Sequence, residues 1–464
     1  MSQITNLLEF ETRYPKLYSV LANGVPVYAS LRDGVNFKLN GKSDDNVSSK
    51  EQGKVSIRRI IDSFIKLKQF KNTKTAVFTS SVYRRDNGRN LAAEFLMDKY
   101  PDTVVFEWPS RNESFDFAYF KDNLKDRYCP LEYYVIYNKI YIKLHKKEYV
   151  RLCEECREKL DAIFCDNENS LPDNYLSAIN YLKSVMPDSY ATNIMNQRVF
   201  KRLFKNYRNL KYAIDYWGSA RENIIPVLPS KPKSIELQHG LINSAHPGYI
   251  YPKFVSDLNY DFFKRTILVY GEKTKKLLTE NSVFIEDKID VIGNPRMQVY
   301  KKEFEVTGER KSLILFSSQP YEQDKKGENY YNVVIPMLKS IEKWLVNHPQ
   351  YILAVKLHPR ENNKIMDLYT KNLTNCVVYC NSEDLYDVLL KSFIHITVNS
   401  TVLYEATEFS VPTITIQYAE YDNKELFGDK VLQAEKPQDI VDLISVLSDN
   451  EVRGQYLSYL KSIV

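Results

Sequence analysis

From about residue 266 the chain settles into a strict alternation of short apolar, β-rich runs with helix-length stretches. The runs are TILVYG (266–271), IDVIG (289–293), SLILFSS (312–318), YILAVKLHP (351–359), CVVYC (376–380), FIHITVNS (393–400) and TITIQY (413–418). Helical patterns separate several of them, at 330–348 and 384–392 among others. Strands apolar on both faces are covered on both faces, and strands joined through helices run parallel, because a parallel neighbour needs a long crossover. The alternation therefore predicts a doubly wound parallel sheet, and the last segment, 436–464, adds two helices.

The first half has the same ingredients in looser order. VPVYASL (25–31), KTAVFTSS (74–81), TVVFEW (103–108), YYVIYNKIYIKL (133–144) and KSIELQHG (233–240) read as strands. Helices are expected near 54–71, 89–99, 146–164 and 174–214. The fold class expected is α/β, with two Rossmann-like domains facing across a cleft, 1–250 and 251–464. In such sheets ligands sit beyond the carboxyl ends of the strands.

Composition narrows the chemistry. At 464 residues, 44% hydrophobic and 27% charged, the chain can bury sizeable cores and is neither disordered nor fibrous. It has 35 Tyr but only 14 Gly. Few glycines limit Gly-rich phosphate loops, and tyrosines can pack, hydrogen-bond or stack on sugars. No GxGxxG, GxxxxGK[ST] or GxSxG occurs, and no Asp-x-Asp, so neither a metal nor a cofactor is expected. A bound nucleotide would have to be neutralised by amides, hydroxyls and basic groups.

Residues 1–240 hold 38 Lys and Arg against 29 Asp and Glu, and the remainder 26 against 30. A basic first half suits an anionic acceptor or a membrane surface, but without a recognisable nucleic-acid module no nucleic acid partner is expected. The six cysteines come with no leader and no run of 18 apolar residues, which points to a cytoplasmic protein with reduced thiols, peripheral at most to the membrane. Cys153 and Cys156 form a CxxC, but within a helical pattern they read as one helix face.

Two motifs follow strands of the second sheet. His358, Pro359 and Arg360 stand just past YILAVKL, where an imidazole beside a guanidinium can bind phosphate. In HITVNSTVLYEA a strand ends at Asn399, Ser400 and Thr401 open a helix, and Glu405 follows one turn on. A helix start carrying hydroxyls binds anions, and Glu405 is placed to accept from ribose hydroxyls. In the first half, Arg84, Arg85 and Arg89 follow a strand and could bind a carboxylate or phosphate of an acceptor. His239, after SIELQ, should face the cleft from the other side.

Taken in order, LQHG (237–240), Gly293-Asn294-Pro295, Ser317-Ser318, LHPR (357–360) and NSTVLYEA (399–406) resemble bacterial capsule and surface-polysaccharide glycosyltransferases of the GT-B type. The nearest groups are the capsular Kdo transferases, the polysialyltransferases and the CDP-glycerol glycerophosphotransferases of teichoic acid synthesis. The likeness spans about 230–420. It implies donor binding by Gly293, Asn294, Ser317, Ser318, His358, Pro359, Arg360, Asn399, Ser400, Thr401 and Glu405. It also implies a catalytic role for His239, as base or as a donor or hinge contact. Arg32-Asp33-Gly34 resembles in position the acidic-glycine motif of polysialyltransferases, which makes Asp33 a rival base and sets Arg32 at the acceptor. The activity implied is transfer of a sugar, CMP-linked and acidic in the favoured case, from a nucleotide sugar to an anionic glycan or lipid-linked oligosaccharide. Polyol-phosphate transfer, UDP-sugar 2-epimerisation and a non-catalytic binding subunit stand as alternatives.

Overall fold

The computed structural model describes residues 3–41, 57–81, 89–109, 126–165, 171–216, 218, 220–240, 242–303, 312–319, 329–358, 361, 363–380, 383–418 and 423–463. The chain divides into two compact units, the first ending at Val299 and the second running from Tyr300.

In the first unit two short antiparallel strands, β1 (Leu21–Ala22) and β2 (Val25–Pro26), precede a seven-stranded parallel sheet. Its strands are β3 (Thr75–Ser80), β4 (Thr103–Trp108), β5 (Tyr128–Pro130), β6 (Tyr212–Asp215), β7 (Lys233–Leu237), β8 (Thr266–Val269) and β9 (Ile289–Val291). Their spatial order is β5-β4-β3-β6-β7-β8-β9, so the chain winds outward from β3 and then restarts on its other side at β6. The pleat sends alternate residues to opposite faces. Ala76 and Phe78 of β3, with Val104 and Phe106 of β4, enter one apolar cluster, while Val77 and Val105 enter another. The first cluster is the larger because the helices Gln3–Arg13, Arg32–Leu39, Glu132–Leu144, Lys146–Ile163 and Asp173–Leu203 all contribute to it.

The second unit is a six-stranded parallel sheet of β10 (Leu313–Ser317), β11 (Ile352–Lys356), β12 (Cys376–Tyr379), β13 (Ser392–Thr397), β14 (Thr413–Ile416) and β15 (Leu432–Ala434). The order β12-β11-β10-β13-β14-β15 is the doubly wound arrangement, with its reversal between β10 and β13. β10 is flanked on both sides, Phe316 lying opposite Val355 and Ile396, and all five of its side chains are buried.

Both parallel α/β units agree with the sequence reading, but three details do not. Residues 133–144 form a helix, Glu132–Leu144, rather than a strand. Tyr133, Tyr137 and Tyr141 recur every fourth residue, and the 133–137 pair stacks with ring centroids 5.9 Å apart, a spacing that only a helix gives. Residues 25–31 hold only the two-residue β2 followed by a 3-10 turn, Val27–Ser30. The boundary near 250 also moves, because β8 and β9 pair with the first sheet and the division falls within the helix Pro295–Glu303. Cys153 and Cys156 lie on the buried face of the helix Lys146–Ile163. Among the described residues no helix is long and apolar enough to cross a membrane.

Candidate functional site

In the second unit the polar groups gather where β10 and β13 end. Gln319, just past β10, donates from Nε2 to Asn399 Oδ1 at 2.9 Å, and its Oε1 accepts from the Asn399 backbone N–H at 3.1 Å. This two-point amide contact ties together the loops leaving the two strands that flank the reversal. Ser400 Oγ accepts from Val402 N at 3.3 Å, and Thr401 opens the short helix Val402–Glu408 without a side-chain cap bond. Glu405 is buried and accepts from the Tyr386 hydroxyl at 2.8 Å.

His358 is positioned from β11. Its backbone N–H donates to Glu361 Oε2 at 2.8 Å while Glu361 N–H returns a bond to His358 O, closing a tight turn. The other carboxylate oxygen of Glu361 accepts from Ser318 at 2.8 Å and from Tyr331 at 3.3 Å. Burial raises the Glu361 carboxyl, opposed by these three bonds and by the charge of Lys356. Lys356, itself buried at the end of β11, donates to Cys380 O at 2.7 Å. His358 is thus half-buried, with its backbone tied to the buried Glu361 and two residues past the buried Lys356.

In the first unit a second cluster forms beyond β6 and β7. Glu236 is buried, accepts from Arg221 Nη1 at 2.7 Å and from Tyr249 Oη at 2.7 Å, and is paired with Arg265. Burial would raise this carboxyl, but Arg221 and Arg265 outweigh it and hold the group well below the usual carboxylate range. Asp215 caps the following turn, accepting from Gly218 N at 2.8 Å and Arg221 N at 3.1 Å. His239 sits just past β7, its pKa lowered by burial against the pull of Glu236 and Asp215, so the ring is neutral near pH 7 and able to take a proton. Glu222 is pushed up to about 7, chiefly by burial.

Several expected site residues have other partners. Arg32 is buried, and its guanidinium forks onto Glu11 at 2.6 and 2.8 Å while also donating to the carbonyls of Pro247 and Ile250. It forms a buried ion pair that holds these elements together. Arg89 is bound in the same two-pronged way to Glu94. Arg84, Arg85, Pro359 and Arg360 lie outside the described residues. Gly293 and Asn294 belong to the first unit, whereas the other residues they were grouped with belong to the second. Gly293 has φ +73°, and Asn294 Oδ1 accepts from the N–H of Arg296 at 3.1 Å, so the pair turns the chain and caps a helix. Ser317 bonds His395 Nε2 at 2.8 Å within the sheet, and Ser318 donates to Glu361 and accepts from Tyr369. Both hydroxyls are thus engaged at the strand ends.

Asp33, by contrast, is exposed in the first turn of the helix Arg32–Leu39 and acts electrostatically on His246, as does His239. Gln319, Glu361 and Glu236 were not picked out from sequence. Each adjoins a motif that was, and that proximity was the available signal.

No protein-family model matches the sequence, and no curated protein does. Solved structures that align with it include a glycosyltransferase from Rickettsia africae, 14% identical over 84% of this chain and 94% of that one, with a TM-score of 0.43. The wall teichoic acid polymerase TagF aligns at 12% identity over 88% of each chain, with a TM-score of 0.43. The UDP-GlcNAc 2-epimerase from Neisseria meningitidis bound to UDP-GlcNAc aligns at 14% identity over 84% of this chain and 94% of that one, with a TM-score of 0.45.

Proposed function

We propose that the chain is a metal-independent glycosyltransferase of the GT-B type, using a nucleotide sugar as donor and a glycan or lipid-linked oligosaccharide as acceptor. The observation that carries this reading is the polar cradle at the β10/β13 reversal of the second unit. There the Gln319–Asn399 contact fixes two loops, Thr401 brings a hydroxyl, and the His358–Glu361 turn brings an imidazole. Reversal points of doubly wound sheets are where nucleotides bind. In the first unit, neutral His239 takes the proton of the acceptor hydroxyl as that oxygen bonds to the sugar. The bond from sugar to phosphate breaks, and the leaving phosphate is stabilised by His358 and Thr401. A CMP-linked acidic sugar is the favoured donor, because one phosphate then needs neutralising and the described cradle offers one imidazole.

Thermal melts with CMP, CDP, UDP and GDP test the donor. A ligand at about 100 times its Kd should stabilise the protein by about 2.7 kcal/mol. We expect CMP or CMP-sugars to give this shift, with His358→Ala and Thr401→Ala each weakening binding by about tenfold, or ~1.4 kcal/mol. Stabilisation by no nucleotide, with both variants melting as the parent does, would rule the reading out. Product mass then separates sugar transfer from polyol-phosphate transfer, and transfer should persist in excess chelator.

A further inference from the structure

The helix Ile57–Gln69 is turned inside out relative to an ordinary surface helix. It buries Ser63 and Leu67, and its polar side is docked. Arg59 is paired with Glu132, and Ser63 Oγ accepts from Tyr133 N at 3.2 Å, both contacts to the neighbouring helix Glu132–Leu144. The apolar side faces outward: Ile57 is 77% exposed, Ile61 54% and Ile65 55%, with Phe64 beside them. At helical spacing these four and Lys68 fall within an arc of about 100°. Lys68 Nζ lies 3.9 Å from the Phe64 ring centroid, and Arg58 is exposed beside Ile57.

The adjoining helix continues the pattern. Ile140 and Leu144, one turn apart, are 51% and 76% exposed, among exposed Lys139, Lys143, Lys146 and Lys147. Phe64 packs on Tyr133 with ring centroids 5.0 Å apart, and Tyr133 stacks on Tyr137, so an aromatic row joins the two helices. The acidic residues of both helices are accounted for: Asp62 is half-buried near Lys66, and Glu132 is buried against Arg59.

We propose that this face of the first unit lies in the surface of an anionic lipid bilayer, with the isoleucines and Phe64 in the acyl boundary and the lysines at headgroup level. Exposed apolar side chains rimmed by cations, with half-buried tyrosines between them, match the apolar, anionic and interfacial layers of such a membrane in turn. Nothing here depends on the transfer reaction, which could fail with vesicle binding intact.

The test is co-sedimentation of the full chain with phosphatidylcholine vesicles, plain or with about 30% phosphatidylglycerol. The parent should bind the anionic vesicles at least about tenfold better, and binding should weaken in about 0.5 M salt. Ile61→Asp/Ile65→Asp and, separately, Lys139→Glu/Lys143→Glu should each lose about tenfold, with unchanged circular-dichroism melts because all four positions are exposed. Equal binding to both vesicle types, or variants that bind as the parent does, would overturn the proposal. So would a parent dimer in light scattering that Ile61→Asp/Ile65→Asp converts to monomer, since the face would then belong to a second copy.

Discussion

The imidazole of His246 is fixed by the turn that follows it. Gly248 N–H donates to Nδ1 at 3.0 Å, so the neutral ring carries its proton on Nε2, and the ring meets Tyr249 edge-on at 4.9 Å. A Cβ added at Gly248 would come within 3.1 Å of this ring, so the turn favours glycine. The same turn is held by Arg32, whose next neighbour, Asp33, acts on the ring electrostatically. Asp33 is therefore a charge partner of His246. Burial lowers the His246 pKa, Asp33 raises it and His239 lowers it. Asp33→Asn should accordingly move its midpoint down, and His239→Gln should move it up. With only six histidines in the chain, a carbon-detected NMR titration can follow each ring. Midpoints that stay put in both variants would separate His246 from this cluster.

At the scale of elements, the Glu11–Arg32 pair fastens two helices and the 246–250 turn together. Arg32 touches Glu11 and the Pro247 and Ile250 carbonyls and lies 4.1 Å from the Tyr251 ring centroid, while Glu11 also accepts from Tyr18 at 3.1 Å. Removing one partner of a buried ion pair leaves an uncompensated charge, which costs about 3–5 kcal/mol. Arg32→Leu should show that loss in urea denaturation, and Glu11→Leu/Arg32→Leu should recover part of it. A single variant costing under ~1 kcal/mol would mean that the pair contributes little. This pair also shows where sequence reading stops. Strands such as β10 and β13 were legible because consecutive apolar residues buried on both faces have few other uses. Arg32 was not, because its partners are 21 and 215 residues away and no local pattern encodes them. The same holds for Ser317, whose motif was visible but whose hydroxyl turned out to face His395. The Glu132–Leu144 helix was misread because its aromatic and β-branched content mimics a strand, while the four-residue tyrosine spacing told otherwise.

Across the whole molecule, the titration of buried groups differs between the units, which makes acid stability a test of both cores. His395, in the second unit, bonds only the hydroxyls of Ser317 and Thr413 through its ring nitrogens, and burial pushes it down to about 3. A histidine depressed in the folded state lends stability above its unfolded pKa of about 6.5 and loses it as pH falls toward 3, at up to about 1.4 kcal/mol per pH unit. Glu361, raised by burial, returns a smaller part of this as pH falls toward the ordinary glutamate range. In the first unit the lowered His239 and His246 are opposed by Glu222, which at about 7 gains stability over the same interval. Glu236, whose folded pKa lies far beneath the carboxylate range, begins to lose its contribution only as pH falls through its unfolded value of about 4.3, at the lower edge of this interval. The second unit should therefore lose protection first on acidification from pH 7 to 4.5. Hydrogen exchange read by mass spectrometry can compare peptides from β10 and β13 with peptides from β3 and β7. Protection should fall earlier in the former, and His395→Asn should flatten that slope even though it lowers stability at pH 7. Equal decline in both units, or an unchanged slope in the variant, would show that His395 does not govern the acid response.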